Sequence, residues 1–269
     1  MSQRRRLNER VAIVFGAGSS DPGWGNGKAA AVAYAREGAR VVSVDISEAA
    51  ARETTEIVAR EGGVSIAVAA DTTNLEAVEA AATAAVTAFG RIDILHNNVG
   101  VVLHGGPIEL DEEAFQRNID INIGSVYRTA KAVLPHFIAQ KSGVIVNISS
   151  LAAIRWTGYP YFSYYAAKAA VNQATVALAL QYAPYNVRAN CVMPGMIDTP
   201  LIYKQISSQY SSVDEMRAAR ARAVPLARMG TAWDIAHACV FLASDEAQFI
   251  TGVCIPVDGG QSCAVPLPV

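Results

Sequence analysis

Short β-branched runs alternate with longer alanine-rich segments from Val11 to Pro256, and few folds accommodate that alternation. The short runs suit strands, and the longer segments carry apolar residues at helical spacing. Repeats of this kind pack as βαβ units, with right-handed crossovers placing helices on both faces of a parallel sheet. Strands are predicted at Val11–Phe15, Arg40–Val44, Ser65–Ala69, Ile92–His96, Gly143–Ile148, Val187–Val192 and Val253–Pro256. Several are apolar on both faces, as strands covered on each side must be. Helices are predicted at Lys28–Glu37, Glu48–Arg60, Leu75–Phe89, Glu112–Ala139, Tyr161–Tyr182 and Trp233–Ala243. The expectation is therefore an α/β, Rossmann-type, doubly wound parallel sheet of seven strands in a single domain spanning residues 1–269.

Composition supports a large buried core, since 52% of the 269 residues are hydrophobic and only 17% charged. A net charge of −2 gives no electrostatic reason to expect nucleic acid or an anionic membrane. The one basic run, Arg4-Arg5-Arg6, reads as part of a flexible N-terminus over residues 1–8. No apolar stretch approaches the roughly 20 residues of a membrane span, so no membrane association is expected. Cys191, Cys239, Cys254 and Cys263 lack CxxC spacing, and the four histidines are scattered. Free thiols in a reducing compartment, no metal site and a cytoplasmic address follow.

Residues 199–225 break the rhythm. They follow a strand, exceed a simple crossover, and mix Leu201, Ile202, Tyr203 and Ile206 with polar residues. Ligands in open α/β sheets sit beyond the carboxyl ends of the strands. A substrate lid is expected there, with an ordinary surface helix as the alternative.

The first strand runs into Gly16-Ala17-Gly18 and then Gly25-Asn26-Gly27 ahead of a helix. Glycines let backbone approach a pyrophosphate, whose charge a helix N-terminus favours. Asp45-Ile46 closes the second strand, 18 residues beyond Gly27. A carboxylate there accepts hydrogen bonds from ribose hydroxyls and repels a 2′-phosphate. No arginine follows Asp45 or lies in the glycine loop, so NAD is favoured over NADP. Asp71-Thr72 and Asn97-Asn98-Val99-Gly100 end the next two strands on the same sheet edge.

Tyr164 and Lys168 stand at i, i+4 and share a helix face. A phenol is a poor base at neutral pH, but a nearby ammonium and the cationic nicotinamide ring favour its phenolate. Ser149-Ser150 ends the strand just upstream, where a hydroxyl could polarise a carbonyl. Asn122 sits inside a long helical segment, which invites a structural bond or a water-relay role.

These motifs, with Pro194-Gly195-Met196-Ile197-Asp198-Thr199 and Val257-Asp258-Gly259-Gly260, resemble the short-chain dehydrogenase/reductase family from about Arg10 to Gly260. The resemblance implies Tyr164 as general acid/base and Lys168 as the residue that binds the nicotinamide ribose and lowers the Tyr164 pKa. It further implies Ser150 at the substrate oxygen and Asn122 at a relay water. Asn98 is implied at the adenosine ribose, Asp71 and Thr72 near adenine, and Pro194, Gly195, Ile197 and Thr199 at the nicotinamide side. A strand order of 3-2-1-4-5-6-7 and a homotetramer are implied as well.

Three features depart from the family pattern. The glycine loop is several residues longer, with Phe15 replacing a threonine. One extra residue separates Ser150 from Tyr164, which leaves Ser149 as an alternative hydroxyl. Tyr165, at i, i+3 to Lys168, is a geometric competitor. The stretch Arg155 to Phe162 should border the substrate, and Trp156, Tyr159 and Tyr203 suggest an apolar, aromatic-lined pocket or a subunit interface. The predicted function is interconversion of a bulky secondary alcohol and a ketone. The alternatives are an NADP-dependent carbonyl or 3-oxoacyl reductase and a catalytically silent dinucleotide-binding regulator.

Overall fold

The computed structural model describes residues 5–206 and 210–264, so residues 1–4 of the expected flexible N-terminus and 207–209 of the expected lid lie outside the described residues. In chain order the elements are β1 (Val11–Phe15), α1 (Asn26–Arg36), β2 (Arg40–Asp45), α2 (Glu48–Arg60), β3 (Val64–Ala69), α3 (Leu75–Phe89) and β4 (Ile94–Asn97). There follow α4 (Glu112–Ile119), a π-helical turn (Asp120–Gly124), α5 (Ser125–Gln140), β5 (Gly143–Ile148), α6 (Phe162–Tyr182) and β6 (Val187–Pro194). The chain continues through β7 (Ile197–Asp198), α7 (Pro200–Ile206), α8 (Val213–Arg222), β8 (Gly230–Thr231), α9 (Ala232–Ala243) and β9 (Cys254–Val257).

Seven strands form one parallel sheet in the order β3-β2-β1-β4-β5-β6-β9, as expected. The chirality of parallel crossovers accounts for the layers. Ala12 and Val14 of β1 face a core shared with α1, α2 and α9, while Ile13 and Phe15 face one shared with α3, α5 and α6. Helix α1 is buried from Gly27 to Ala35, because it lies between the sheet and α9 and its alanines permit close packing on both sides. β7 and β8 form a separate two-stranded pair beneath the expected lid.

Two expectations need correction. Glu112–Ala139 is not one helix, because α4 gives way to the π turn before α5 resumes. Residues 5–8 are anchored: Leu7 is buried and donates its amide to Glu37 O, and the Arg6 guanidinium pairs with Glu37 at 2.6 Å.

Within β4, His96 is wholly buried; its Nδ1 shares a 3.0 Å hydrogen bond with the Tyr34 hydroxyl, and its Nε2 has no partner among the described residues. Burial pushes its pKa down to about 3. An unfolded histidine takes its proton near pH 6.5, so between those values the unfolded state binds more protons and folding weakens as pH falls. From pH 7 to pH 5 the unfolding free energy should drop by roughly 2 kcal/mol from this group. Urea titrations at both pH values check this, and His96→Leu should flatten the difference. An undiminished slope in that variant would assign the effect elsewhere.

Candidate active site

The carboxyl ends of β1, β2, β4, β5 and β6 open into one cleft of about 1430 Å3. Its first wall is the glycine turn. Gly16 adopts φ +79°, which returns the chain toward α1, and a Cβ on Gly27 would stand 2.0 Å from Gly16 O. The amides of Gly16 and Ala17 both donate to Val44 O, and Asn98 Nδ2 donates to Gly16 O at 3.0 Å. Asp45 accepts from the Gly18 amide at 2.9 Å and from the Ser47 amide at 3.0 Å, so this carboxylate sets the turn's shape while facing the cleft. The turn's extra residues are packed. Trp24 meets Trp233 of α9 with ring centroids 4.7 Å apart, and Lys204 of α7 reaches Ser20 O and Asp21 at 2.8 and 2.9 Å.

This wall fits a dinucleotide. Cβ atoms on Gly18 and Gly27 would collide with neighbouring atoms at 2.6 Å or less, so the backbone is as bare as a close approach requires. Ser19 Oγ and Asn26 Oδ1 are buried in the turn without hydrogen-bond partners among the described residues, although buried polar atoms are normally satisfied. Ile46, Asp71, Thr72, Val99 and Gly100 continue the same wall.

The second wall holds the ionisable groups. Asn147 bridges Asn97 and Thr175 through bonds of 2.8 and 2.9 Å, and Ser149 Oγ donates to Lys168 O at 3.0 Å. These buried bonds fix α6 against β4 and β5, and they commit the Ser149 hydroxyl. Ser150 Oγ accepts from Ala152 N at 3.1 Å and lines the cleft beside Tyr164, whose phenol it influences. Lys168 is buried, donates from Nζ to Ile148 O at 3.0 Å, and lies 5.6 Å from the Tyr164 ring centroid. Burial holds the Tyr164 phenol up at about 12, opposed by the Ser150 hydrogen bond, and pushes the Lys168 ammonium down to about 8. At neutral pH that lysine still carries the charge that favours a phenolate beside it.

Tyr165 does not compete. Its hydroxyl accepts from Thr157 N at 2.9 Å and lies 3.1 Å from Tyr159 O, and its ring stacks on Trp156 at 5.3 Å. The turn between Ser150 and Tyr164 is thereby pinned to α6 by the tyrosine next to the one facing the cleft.

Most predicted residues meet at this cleft, including Pro194, Gly195, Ile197 and Thr199 on its floor and Trp156 and Tyr159 at its mouth. Three lie outside its lining. Gly27 stands behind the turn. Asn122, wholly buried in the π turn, spends its amide on Val101, accepting from Val101 N at 3.2 Å and donating to Val101 O at 2.9 Å. Of its two expected roles, those bonds support the structural one. Tyr203 turns aside because its hydroxyl bonds Asp198 and accepts from Arg217 Nε. Sequence reasoning missed Gln261, which accepts from Met196 N at 3.0 Å and whose carbonyl receives Arg155, and it missed Arg220. The only sequence signal for Gln261 was its place directly after Gly259-Gly260.

Comparison with known proteins agrees with this architecture. The family described as Enoyl-(Acyl carrier protein) reductase matches residues 23–262. The chain is 38% identical to 3beta-hydroxysteroid dehydrogenase 1 of Eggerthella lenta, covering 95% of each chain. It is 35% identical to dehydrogenase/reductase SDR family member 6 of Aquarana catesbeiana, over 96% of this chain and 99% of that one. A crystal structure from Burkholderia xenovorans assigned to the short-chain dehydrogenases/reductases superimposes with a TM-score of 0.93 at 42% identity, covering 97% of this chain and 99% of the other.

Proposed function

The chain belongs to the short-chain dehydrogenase/reductase family, and we propose that it is an NAD(H)-dependent oxidoreductase interconverting a bulky secondary alcohol and a ketone. The observation that carries this reading is the convergence of Ser150, Tyr164 and Lys168 on the cleft that the glycine turn and Asp45 enter from the other side. Relatives named as dehydrogenases of a hydroxysteroid and of a cyclohexadiene diol favour chemistry at a CH–OH group.

The dinucleotide, when bound, supplies the hydride acceptor or donor. Ser150 would hold the substrate oxygen, and Tyr164 would take the hydroxyl proton in oxidation and return it in reduction. Lys168 would stabilise the phenolate and hold the nicotinamide ribose. Asn122, through Val101, would fix the loop beside Gly100 and, as the resemblance implies, support a relay water. Trp156, Tyr159, Leu201 and Ile202 give the substrate end an apolar lining. We further propose that the chain works as a homotetramer in the cytoplasm; among the described residues no helix is long and apolar enough to cross a membrane.

A screen of secondary alcohols and ketones with each dinucleotide, followed at the reduced nicotinamide absorbance, tests the reading. Failure of every alcohol and ketone with both dinucleotides would overturn it. Asp45→Ala should narrow the NAD-to-NADP ratio of kcat/KM by about tenfold, the equivalent of one charge-assisted contact. The lost acceptor for Gly18 and Ser47 should also cost about 1–2 kcal/mol of stability. A preference unchanged in that variant would remove the carboxylate from the discrimination.

A further inference from the structure

The chemistry above makes no use of Arg220. Its helix, α8, is strongly polar, and its neighbours Arg217 and Arg222 are exposed as such a helix leads one to expect. Arg220 is only 8% exposed, yet it lines the cleft. Among the described residues its Nε has no hydrogen-bond partner and no carboxylate forms an ion pair with it. A guanidinium does not shed its proton, and a buried cation without a counter-charge is costly.

The phenols of Tyr159 and Tyr161 line the cleft together with it. The Tyr159 and Tyr210 hydroxyls bond each other at 2.9 Å, and the Arg220 charge acts on both Tyr161 and Tyr210. Tyr161 in turn meets Tyr164 edge to face, with centroids 6.4 Å apart. Arg220, Tyr161 and Tyr164 thus line one continuous cleft, with the Tyr161 ring set against the proton-carrying phenol. Of the other arginines lining the cleft, Arg155 is engaged by the Gln261 carbonyl, while Arg117 and Arg222 are exposed at its surface.

We propose that Arg220 is a specificity residue that binds a carboxylate on the substrate, which makes the substrate class hydroxy acids and oxo acids whose carbinol carbon is set apart from the carboxylate by an apolar spacer of about ring size. A planar fork of donors matches a carboxylate, and burial sets Arg220 apart from the exposed Arg117 and Arg222 on the same cleft. The aromatic lining between Arg220 and Tyr164 accounts for the spacer. The inference rests on the alcohol/ketone reading and narrows it.

The probes are 4-(1-hydroxyethyl)benzoate and its neutral carboxamide as substrates, with 4-acetylbenzoate titrated calorimetrically into the protein holding dinucleotide. The acid should show a KM at least about tenfold below that of the amide. Arg220→Met should bring the two within about twofold, and Arg220→Lys should restore part of the difference. Equal KM values for acid and amide in the unaltered protein would overturn the proposal, whatever the variants do. So would an acid preference that survives Arg220→Met. If no alcohol turns over, the dehydrogenase reading fails separately, and calorimetric binding of 4-acetylbenzoate that is lost in Arg220→Met would still support carboxylate recognition.

Discussion

Tyr164→Phe should lower kcat by about 10^3-fold in both directions, while dinucleotide affinity stays within about threefold, a difference well under 1 kcal/mol. The substitution removes one oxygen and leaves the ring where Lys168 and Tyr161 pack against it. What disappears is the phenol beside Ser150 in the cleft, and with it the proton's destination. Single-turnover rates and a dinucleotide titration on the same preparation separate the two effects. Because burial holds this phenol near 12, oxidation by the unaltered protein should speed up as pH rises and reduction should slow. The variant's residual rate should lose that opposition. A variant that retains a tenth or more of the normal rate would mean that the proton travels by another group.

Gly27→Ala should weaken dinucleotide binding by about 100-fold or more and lower stability by about 1–3 kcal/mol. The added methyl would stand 2.0 Å from Gly16 O and 2.6 Å from Asn98 Nδ2, and both are already committed to each other. No flexible side-chain tip can yield at the carbonyl, so the turn must shift away from α1. The amides that would face a pyrophosphate shift with it. Calorimetric titration and thermal unfolding measure the two losses. Binding within twofold of normal would show that the turn tolerates the shift and that its shape does not matter to the ligand.

The sheet was legible because its strands are apolar on both faces: β1 and β5 run to the residues expected, and the strand order followed from the family resemblance. The pairing of Tyr164 with Lys168 was legible for a related reason, since helical spacing alone puts them on one face. The π turn was not. It differs from an α-helix by a single residue of slack, which hydrophobic periodicity over Glu112–Ala139 does not register, and it is held by Asn122 bonds to a loop distant in sequence. Tyr203 looked like a pocket residue because it sits among aliphatics in the lid, but Asp198 and Arg217 draw its hydroxyl away. Arg220 gave the opposite error. An arginine in a polar helix reads as solvated, and only the tertiary fold, which places Arg220 on the wall of the cleft, buries it.

The enlarged turn after β1 has a consequence for the order in which the chain assembles. Its contact with α7 joins Ser20 to Lys204 across 184 residues of sequence. Closing so long a loop yields little free energy until the intervening chain is already compact. The strands and helices between those two points must be in place before Lys204 can find its partners. The rim of the cleft is therefore a late product of folding, completed only when both ends of that long loop have been brought together.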